Sequence, residues 1–118
     1  MFAGAFFGGA SASVEVINRI KSVIPSIEEV RIDYGATESG TMTIAAQEDA
    51  SSGKGVETVG TPLDFVEVKI VDPVTKALKK IGEPGELWTC GHNVMIGYWD
   101  EEGRTKEAID EGNWYRTG

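Results

Sequence analysis

Apolar residues near the start of the chain recur at a helical period. Val14, Ile17, Ile20 and Ile24 are spaced by three or four positions, which predicts a helix with one apolar face. Ser13 is a favourable N-cap in front of them, and a proline that cannot continue the helix follows the last. We therefore expect a helix that begins after Ser13 and presents a single apolar stripe.

The period then changes from helical to extended. Apolar and polar residues alternate over 30–34, which predicts a strand that ends in a loop at Gly35. The alternating stretch 65–71 and the segment 86–90 are two further predicted strands, and the turn sequences beside them favour antiparallel pairing. The apolar run 1–7 is interpreted as a buried strand.

A second, shorter helix is predicted near the end of the sequence. Residues 101–109 follow Asp100, a candidate N-cap, and Glu102 and Lys106 form a pair of opposite charges one turn apart. The three tryptophans are interpreted as core or interface residues, because large aromatic side chains are usually highly buried.

These elements predict an α+β fold. We expect a helix/strand part at 1–46, a polar, glycine-rich flexible loop at 47–57 and a β-rich part at 58–118. With 118 residues, the chain is one small domain or a piece of a larger one. Its composition of 41% hydrophobic and 25% charged residues is that of a globular protein with a packed core.

The charge balance excludes some classes of partner. A formal net charge of -8 repels polynucleotides and anionic lipid surfaces at long range, so no nucleic-acid partner is expected. A single nucleotide such as ATP stays compatible, because backbone N–H groups and a metal ion can hold phosphates. No segment is long and apolar enough to predict a transmembrane helix.

Cysteine usage bears on the compartment. Cys90 is the one cysteine, so the chain has no internal disulfide, and we expect an intracellular protein, mitochondrial or cytoplasmic. The neighbouring His92 does not make a zinc or nucleophile site plausible, because no further histidine or cysteine completes the set.

The segment 34–39 carries candidate chemistry directly after a predicted strand. Thr37 can donate a hydrogen bond to a phosphate oxygen, Glu38 is an oxygen ligand of the kind Mg2+ prefers, and Tyr34 offers an aromatic face to a base. The alternative is an ordinary turn with a structural tyrosine and a solvated glutamate. Residues 8–11 similarly permit close approach of a ligand to a helix N-terminus, although a tight strand-to-helix turn is the simpler explanation of a Gly-Gly pair.

Taken in order, six sequence motifs resemble the adenylate-forming superfamily of acyl-CoA synthetases, luciferases and peptide-synthetase adenylation domains. The resemblance covers nearly the whole chain and is greatest to fatty acid-CoA ligases of the medium-chain or family-member-2 type. It rests on these segments: 8–11 (GGAS), 34–38 (YGATE), 59–62 (VGTP), 82–87 (GEPGEL), 97–99 (GYW) and 114–118 (WYRTG).

The resemblance implies a role for particular residues. Tyr34 would pack on adenine, Thr37 would contact the α-phosphate as a catalytic residue, and Glu38 would be catalytic as the Mg2+ ligand. Gly9, Gly35 and Ala36 would border the acyl group. The implied nucleotide-binding set is Gly9, Ala10, Ser11, Asp33, Tyr34, Gly35, Ala36 and Thr37.

The resemblance also implies a reaction and its cofactors. A carboxylate, expected to be a fatty acid, would react with ATP to give an acyl-adenylate, and CoA would then take the acyl group as a thioester. The chain would be a fragment of the large N-terminal domain, with a β-rich, barrel-like second part and the remainder of the parent enzyme as its partner. Other catalytic segments of the family would lie before Met1 and after Gly118, so we expect no ligase activity from the chain alone. The alternative is a non-enzymatic mixed α/β interaction module.

Overall fold

The computed structural model describes residues 4–10, 12–45 and 58–118. These form two compact units. The first comprises the described parts of 1–35 and 43–63, and the second comprises 36–42 and 64–118. The proposed flexible loop at 47–57 lies outside the described residues, and the predicted domain boundaries stay a prediction.

Four strands form a sheet in the order β1-β2-β3-β4. Strand β1 pairs in parallel with β2, so that Gly4 lies opposite Glu29 and Phe7 opposite Ile32. A parallel pair needs a crossover connection, and helix α1 provides it. The bounds are β1 Gly4–Phe7, α1 Val14–Val23, β2 Glu29–Ala36, β3 Gly40–Ile44 and β4 Thr61–Pro62.

Helix α1 begins as its sequence predicts. The Ser13 hydroxyl oxygen accepts a hydrogen bond from the Val16 N–H at 3.3 Å, and the helix ends at Val23, shortly before the proline. The predicted apolar stripe is only partly correct. Ile17 is buried, whereas Val14 and Ile24 are 41% and 46% exposed, because the sheet covers a narrow part of the helix surface.

The core of the first unit lies between α1 and the sheet. Val30 and Ile32 project from β2 into it, which confirms the alternation read from 30–34. Ile17 meets them from the helix, and Phe7 packs against the cluster from β1. The members of this core are Ala12, Ile17, Val30, Ile32 and Ala45, with Phe7, Ile20 and Ile27 partly buried around them.

The second unit contains an antiparallel sheet in the order β5-β6-β7. The central strand is β6, and both predicted strands of this part are present with ends shifted by one residue. The mixture of helices and sheets in the described residues confirms the α+β class. Over the described residues this sheet is open, so the part expected to be barrel-like is an unclosed sheet. The bounds are β5 Val66–Val71, β6 Glu86–Gly91, α2 Glu102–Ala108 and β7 Tyr115–Arg116.

Of two predictions in this unit, one is wrong and the other is only partly correct. Asp100 does not cap α2: Glu101 is the N-cap, and its side chain makes no capping hydrogen bond. The tryptophans also differ from one another. Trp88 is 4% exposed and lies in the core, but Trp99 is 96% exposed because it sits on a turn that no described element of this unit covers.

Candidate nucleotide and cation site

The turn between β2 and β3 carries Thr37 and Glu38. A hydrogen bond from the Ser39 N–H to the Ala36 carbonyl closes the turn at 3.2 Å, and Gly40 leaves it with a φ of 56°. Glycine is suited to this left-handed conformation because it has no Cβ. Thr37 is exposed, Glu38 is half-buried and Ser39 is fully buried, so the turn is anchored by its third residue and open at its first.

A much later loop holds this turn in place. The Asn93 side-chain amide donates to the carbonyl oxygens of Ser39 and Thr41 at 2.5 and 3.1 Å. The Met95 N–H donates to the Glu38 carbonyl at 2.7 Å. The loop formed by residues 93–98, here called the clamp loop, therefore satisfies backbone acceptors that the turn cannot satisfy itself.

The clamp loop also reaches the functional group of Glu38. The Tyr98 hydroxyl donates a hydrogen bond to Glu38 Oε1 at 2.7 Å. This bond is the main cause of a lowered pKa of Glu38, and Tyr115 and Arg104 act in the same direction. The same bond raises the pKa of Tyr98. The ionised form, which any glutamate with the ordinary pKa of 4.5 already takes at neutral pH, is therefore favoured further.

An ionised carboxylate of this kind fits Mg2+. Magnesium is commonly held by one or two carboxylates together with the phosphates of a substrate, rather than by a cage of protein ligands. Among the described residues, no group of three or more histidine, cysteine, aspartate or glutamate side chains could hold a metal ion. The Glu38 carboxylate is of the kind that can bind Mg2+ beside a nucleotide.

The remaining predicted residues in the first unit gather where β1 and β2 end. Continuing the parallel register places Gly8 beside Asp33, and a Cβ on Gly8 would come within 2.5 Å of the Asp33 Oδ1 atom. Gly9 follows with a φ of 78° and nothing within 4 Å of the position its Cβ would take. Ligands of open α/β sheets bind beyond the carboxyl ends of parallel strands, which is where these residues lie.

Other members of the predicted set have plainer surroundings. Ala10 is exposed directly after Gly9, and Tyr34, Gly35 and Ala36 are half-buried at the end of β2. Ser11 lies outside the described residues. The structure thus brings Gly9 and Asp33 to one end of the parallel strands and sets Thr37 and Glu38 on the following turn.

Sequence reasoning missed Asn93 and Tyr98 as functional candidates. Tyr98 belongs to a quoted motif, but its position in the sequence gives no sign of a bond to Glu38 sixty residues earlier. Beside Tyr98, an open cavity of about 620 Å3 is bordered by Gly97, Trp99, Thr105 and Lys106.

No helix in the described part of the chain is long and apolar enough to cross a membrane.

The family model of AMP-binding enzymes matches residues 3–99. The chain belongs to the AMP-binding enzyme family. Among curated relatives, the zebrafish (Danio rerio) medium-chain acyl-CoA ligase ACSF2, mitochondrial, is 36% identical over 98% of this chain. The human (Homo sapiens) protein of the same name is 34% identical over 98%. The chain spans only 19% and 18% of the length of these two relatives.

Segments of two solved structures show the same backbone arrangement. The crystal structure of VinN matches 98% of this chain with a TM-score of 0.86 at 28% identity, and the chain covers 29% of it. The amide bond synthetase McbA from Marinactinospora thermotolerans matches 96% with a TM-score of 0.80, also at 28% identity, and the chain covers 22% of it. The α+β fold is therefore that of a segment of these proteins.

Proposed function

We propose that this chain is part of an ATP-dependent acyl-CoA synthetase and supplies one side of its nucleotide site. In the proposed reaction a carboxylate oxygen attacks the α-phosphorus of ATP and pyrophosphate leaves. The thiolate of CoA then attacks the acyl carbon of the acyl-adenylate, and AMP leaves with the electrons of the broken C–O bond. Family membership and the names of the zebrafish and human relatives support this assignment.

The observation that carries the proposal is the clamped turn with its exposed hydroxyl and ionised carboxylate. Thr37 projects from an exposed position and would donate to an oxygen of the α-phosphate. Glu38 accepts a hydrogen bond from Tyr98 and would hold Mg2+, which neutralises charge on the phosphates when it is bound. Donors and charges fixed before the reaction are commonly the largest contribution to such catalysis.

The proposed nucleotide-binding set also includes residues of the first unit. Tyr34 would stack on adenine, and the open face of Gly9 would let the ligand approach the backbone closely. Ala10, Ser11 and Asp33 complete the proposed nucleotide set, and Gly35 and Ala36 would border the acyl group. A fatty acid is the proposed carboxylate, since both relatives are named as medium-chain acyl-CoA ligases.

The proposal assigns ligase activity to the parent polypeptide and not to the 118-residue chain alone. The chain spans about a fifth of the length of its relatives, and the rest of the parent is its proposed partner. Residues 1–118 would form part of the adenylation domain. An intracellular setting, mitochondrial or cytoplasmic, is proposed from the single free cysteine, Cys90.

An NMR titration of the isotopically labelled chain tests the proposal. We expect AMP to shift the amides of Gly9, Ala10 and residues 33–36, and ATP with Mg2+ to add shifts at Thr37 and Glu38. The Glu38→Gln variant should keep the AMP response and lose the additional effect of Mg2+. A folded chain with no localised shift at either stretch would contradict the nucleotide site and favour the interaction-module alternative.

A further inference from the structure

The Glu38 turn depends on distant groups for its conformation. Within the turn itself, the Ser39 N–H bonds the Ala36 carbonyl, and the Ser39 hydroxyl donates to the Gly40 carbonyl at 3.3 Å. Neither bond touches the Glu38 carboxylate. The group that would meet a cation is held by its own backbone N–H and, from outside the turn, chiefly by the phenol of Tyr98.

Tyr98 is itself held by helix α2. The Thr105 hydroxyl oxygen accepts from the Tyr98 N–H at 2.9 Å and donates to the Glu101 carbonyl at 3.0 Å. The guanidinium carbon of Arg104 lies 4.8 Å from the centroid of the Tyr98 ring. A cation at that distance is attracted to an aromatic ring, so both the backbone and the ring of Tyr98 are anchored to the same helix.

The residue before Tyr98 explains why Thr105 can come so close. Gly97 has a φ of 157°, and a Cβ there would lie 2.7 Å from Cγ2 and 2.9 Å from Oγ1 of Thr105. The absence of a side chain lets the hydroxyl reach the next backbone N–H. A chain of contacts thus runs from α2 through Thr105 and Tyr98 to the carboxylate of Glu38.

We propose that Tyr98 and Asn93 are positioning residues that fix the Thr37–Glu38 turn in its ligand-ready conformation before a nucleotide and cation arrive. Asn93 fixes the backbone of the turn through two carbonyl oxygens, and Tyr98 fixes Oε1 of Glu38. The inference rests on the proposed function, because it assigns the turn to nucleotide and cation binding. The presetting itself is a property of the ligand-free chain.

The physical benefit of presetting is a smaller ordering cost on binding. A flexible glutamate loses rotamer freedom when it meets a cation, whereas a glutamate already held by a phenol has lost that freedom during folding. Hydrogen bonds to ionised groups are about twice as strong as neutral ones, so a phenol that donates to the carboxylate favours one rotamer. Outer-shell partners of metal ligands typically change metal affinity by about 10–100-fold when they are removed.

The ligand-free test compares Tyr98→Phe with Trp99→Phe by NMR. The first substitution removes only the hydroxyl that bonds Glu38, and the second changes a neighbouring exposed aromatic residue with no role in the clamp. The side-chain scalar couplings of Glu38 should indicate a single rotamer in the wild type and in Trp99→Phe. In Tyr98→Phe they should indicate an average over several rotamers. Identical couplings in all three proteins would overturn the inference.

A second ligand-free measurement addresses Asn93. Amide order parameters for residues 37–40 should be near the value of about 0.85 that is typical of a rigid backbone, and should fall toward about 0.6 in Asn93→Ala. Asn93→Asp keeps the size of the side chain but loses the amide donor, so it should resemble Asn93→Ala. A turn that stays rigid in both variants would overturn the role of Asn93. If either variant unfolds, the Tyr98→Phe comparison still decides the inference.

A third measurement connects the clamp to the ligand. Mn2+ with ATP should broaden the amides of residues 37–39, and Tyr98→Phe should raise the apparent Kd for the metal–nucleotide complex by about 10-fold or more. An unchanged Kd would refute the role of Tyr98 toward the cation. If the wild-type chain shows no broadening, the proposed function of the site fails, while the rotamer comparison still decides whether Tyr98 presets Glu38.

Discussion

The Tyr98 hydroxyl oxygen lies 2.7 Å from Oε1 of Glu38, although sixty positions separate the two residues in sequence. The bond joins a phenol, which donates, to a carboxylate, which accepts. Because it favours the charged form of Glu38 and the neutral form of Tyr98, it lowers the pKa of the first group and raises that of the second.

This relationship predicts the pH dependence of the turn. Glu38 should titrate below its ordinary value of 4.5, so its bond stabilises the folded chain above that pH and is lost as the pH falls through the folded-state pKa. Carboxyl 13C shifts measured against pH should show a low midpoint for Glu38 that moves upward in Tyr98→Phe. Trp99→Phe should leave the midpoint in place, and a midpoint that is equally low without the phenol would contradict the prediction.

A second pH-dependent contact lies in the turn after β5. Asp72 Oδ1 accepts from the Val74 and Thr75 N–H groups at 3.0 and 2.9 Å, and Oδ2 lies 2.9 Å from the Lys79 ammonium nitrogen. The Thr75 N–H and then Lys79 are the largest causes of a strongly lowered pKa of Asp72, and Asp72 raises the pKa of Lys79.

These two pKa shifts determine the pH range in which each group stabilises the folded chain. The contribution of Asp72 should be complete above pH 3.8 and decline as the pH falls toward its lower folded-state pKa. The contribution of Lys79 should be complete below pH 10.5 and be lost at higher pH. The free energy of unfolding in urea, measured as a function of pH, should therefore lose both of these pH dependences in Asp72→Ala. The same substitution at the exposed Asp64 is the matched control, and an equal change in both variants would contradict the assignment.

Two glycines with similar backbone angles should respond differently to alanine. Gly60 and Gly82 have φ values of 84° and 88°, so alanine at either site should cost about 1 kcal/mol of folding free energy from backbone strain. A Cβ on Gly60 would also collide with the Ile44 carbonyl, whereas nothing lies within 4 Å at Gly82. Gly60→Ala should therefore be more destabilising than Gly82→Ala by about 1–3 kcal/mol in urea unfolding. Equal losses of folding free energy in the two variants would show that the structure around Gly60 accommodates the added Cβ without cost.

Differences in burial should likewise make alanine substitutions at two apolar residues differ in their effect on stability. Met42 is fully buried in the second unit, and Ile81 is fully exposed. Met42→Ala should lower the free energy of unfolding by about 2–5 kcal/mol, because it removes buried methylene groups and leaves a cavity. Ile81→Ala should change it by less than about 0.5 kcal/mol. Thermal or urea unfolding of the two variants tests the difference, and a small effect at Met42 would contradict the packing of this unit.

Periodicity predicted those elements whose burial is set by local sequence. The N-cap at Ser13 and the buried residues Val30 and Ile32 follow from spacing alone, since a helix and a half-buried strand impose it. The cap at Asp100 was wrong because Asp100 takes a φ of 54° and the helix starts one residue later. Whether an aromatic residue is covered depends on tertiary packing, which is why Trp88 and Trp99 have opposite exposures.

The residues of the candidate site differ in the same way, because some can be predicted from local sequence and others depend on tertiary contacts. The hydroxyl and carboxylate of Thr37 and Glu38 can be proposed as ligands from residue type and from their place after a strand. The groups that hold them come from Asn93, Met95 and Tyr98, more than fifty positions later, and no local pattern specifies that contact. The short strands β4 and β7 were missed for a related reason, because two residues carry no detectable period.

The clamp loop has a consequence for the order in which this segment assembles. Its side-chain bonds join residues 52 to 60 positions apart, so chain entropy must be lost before they can form. Contacts of such separation form slowly compared with a helix such as α1, which closes from its neighbours alone. During synthesis from the N-terminus, the clamp on Thr37 and Glu38 cannot form until Tyr98 has been added and has reached them. The site is therefore completed late, by the sequence that follows it, and a ribosome-bound chain that stops before residue 93 would carry both residues on an unclamped turn.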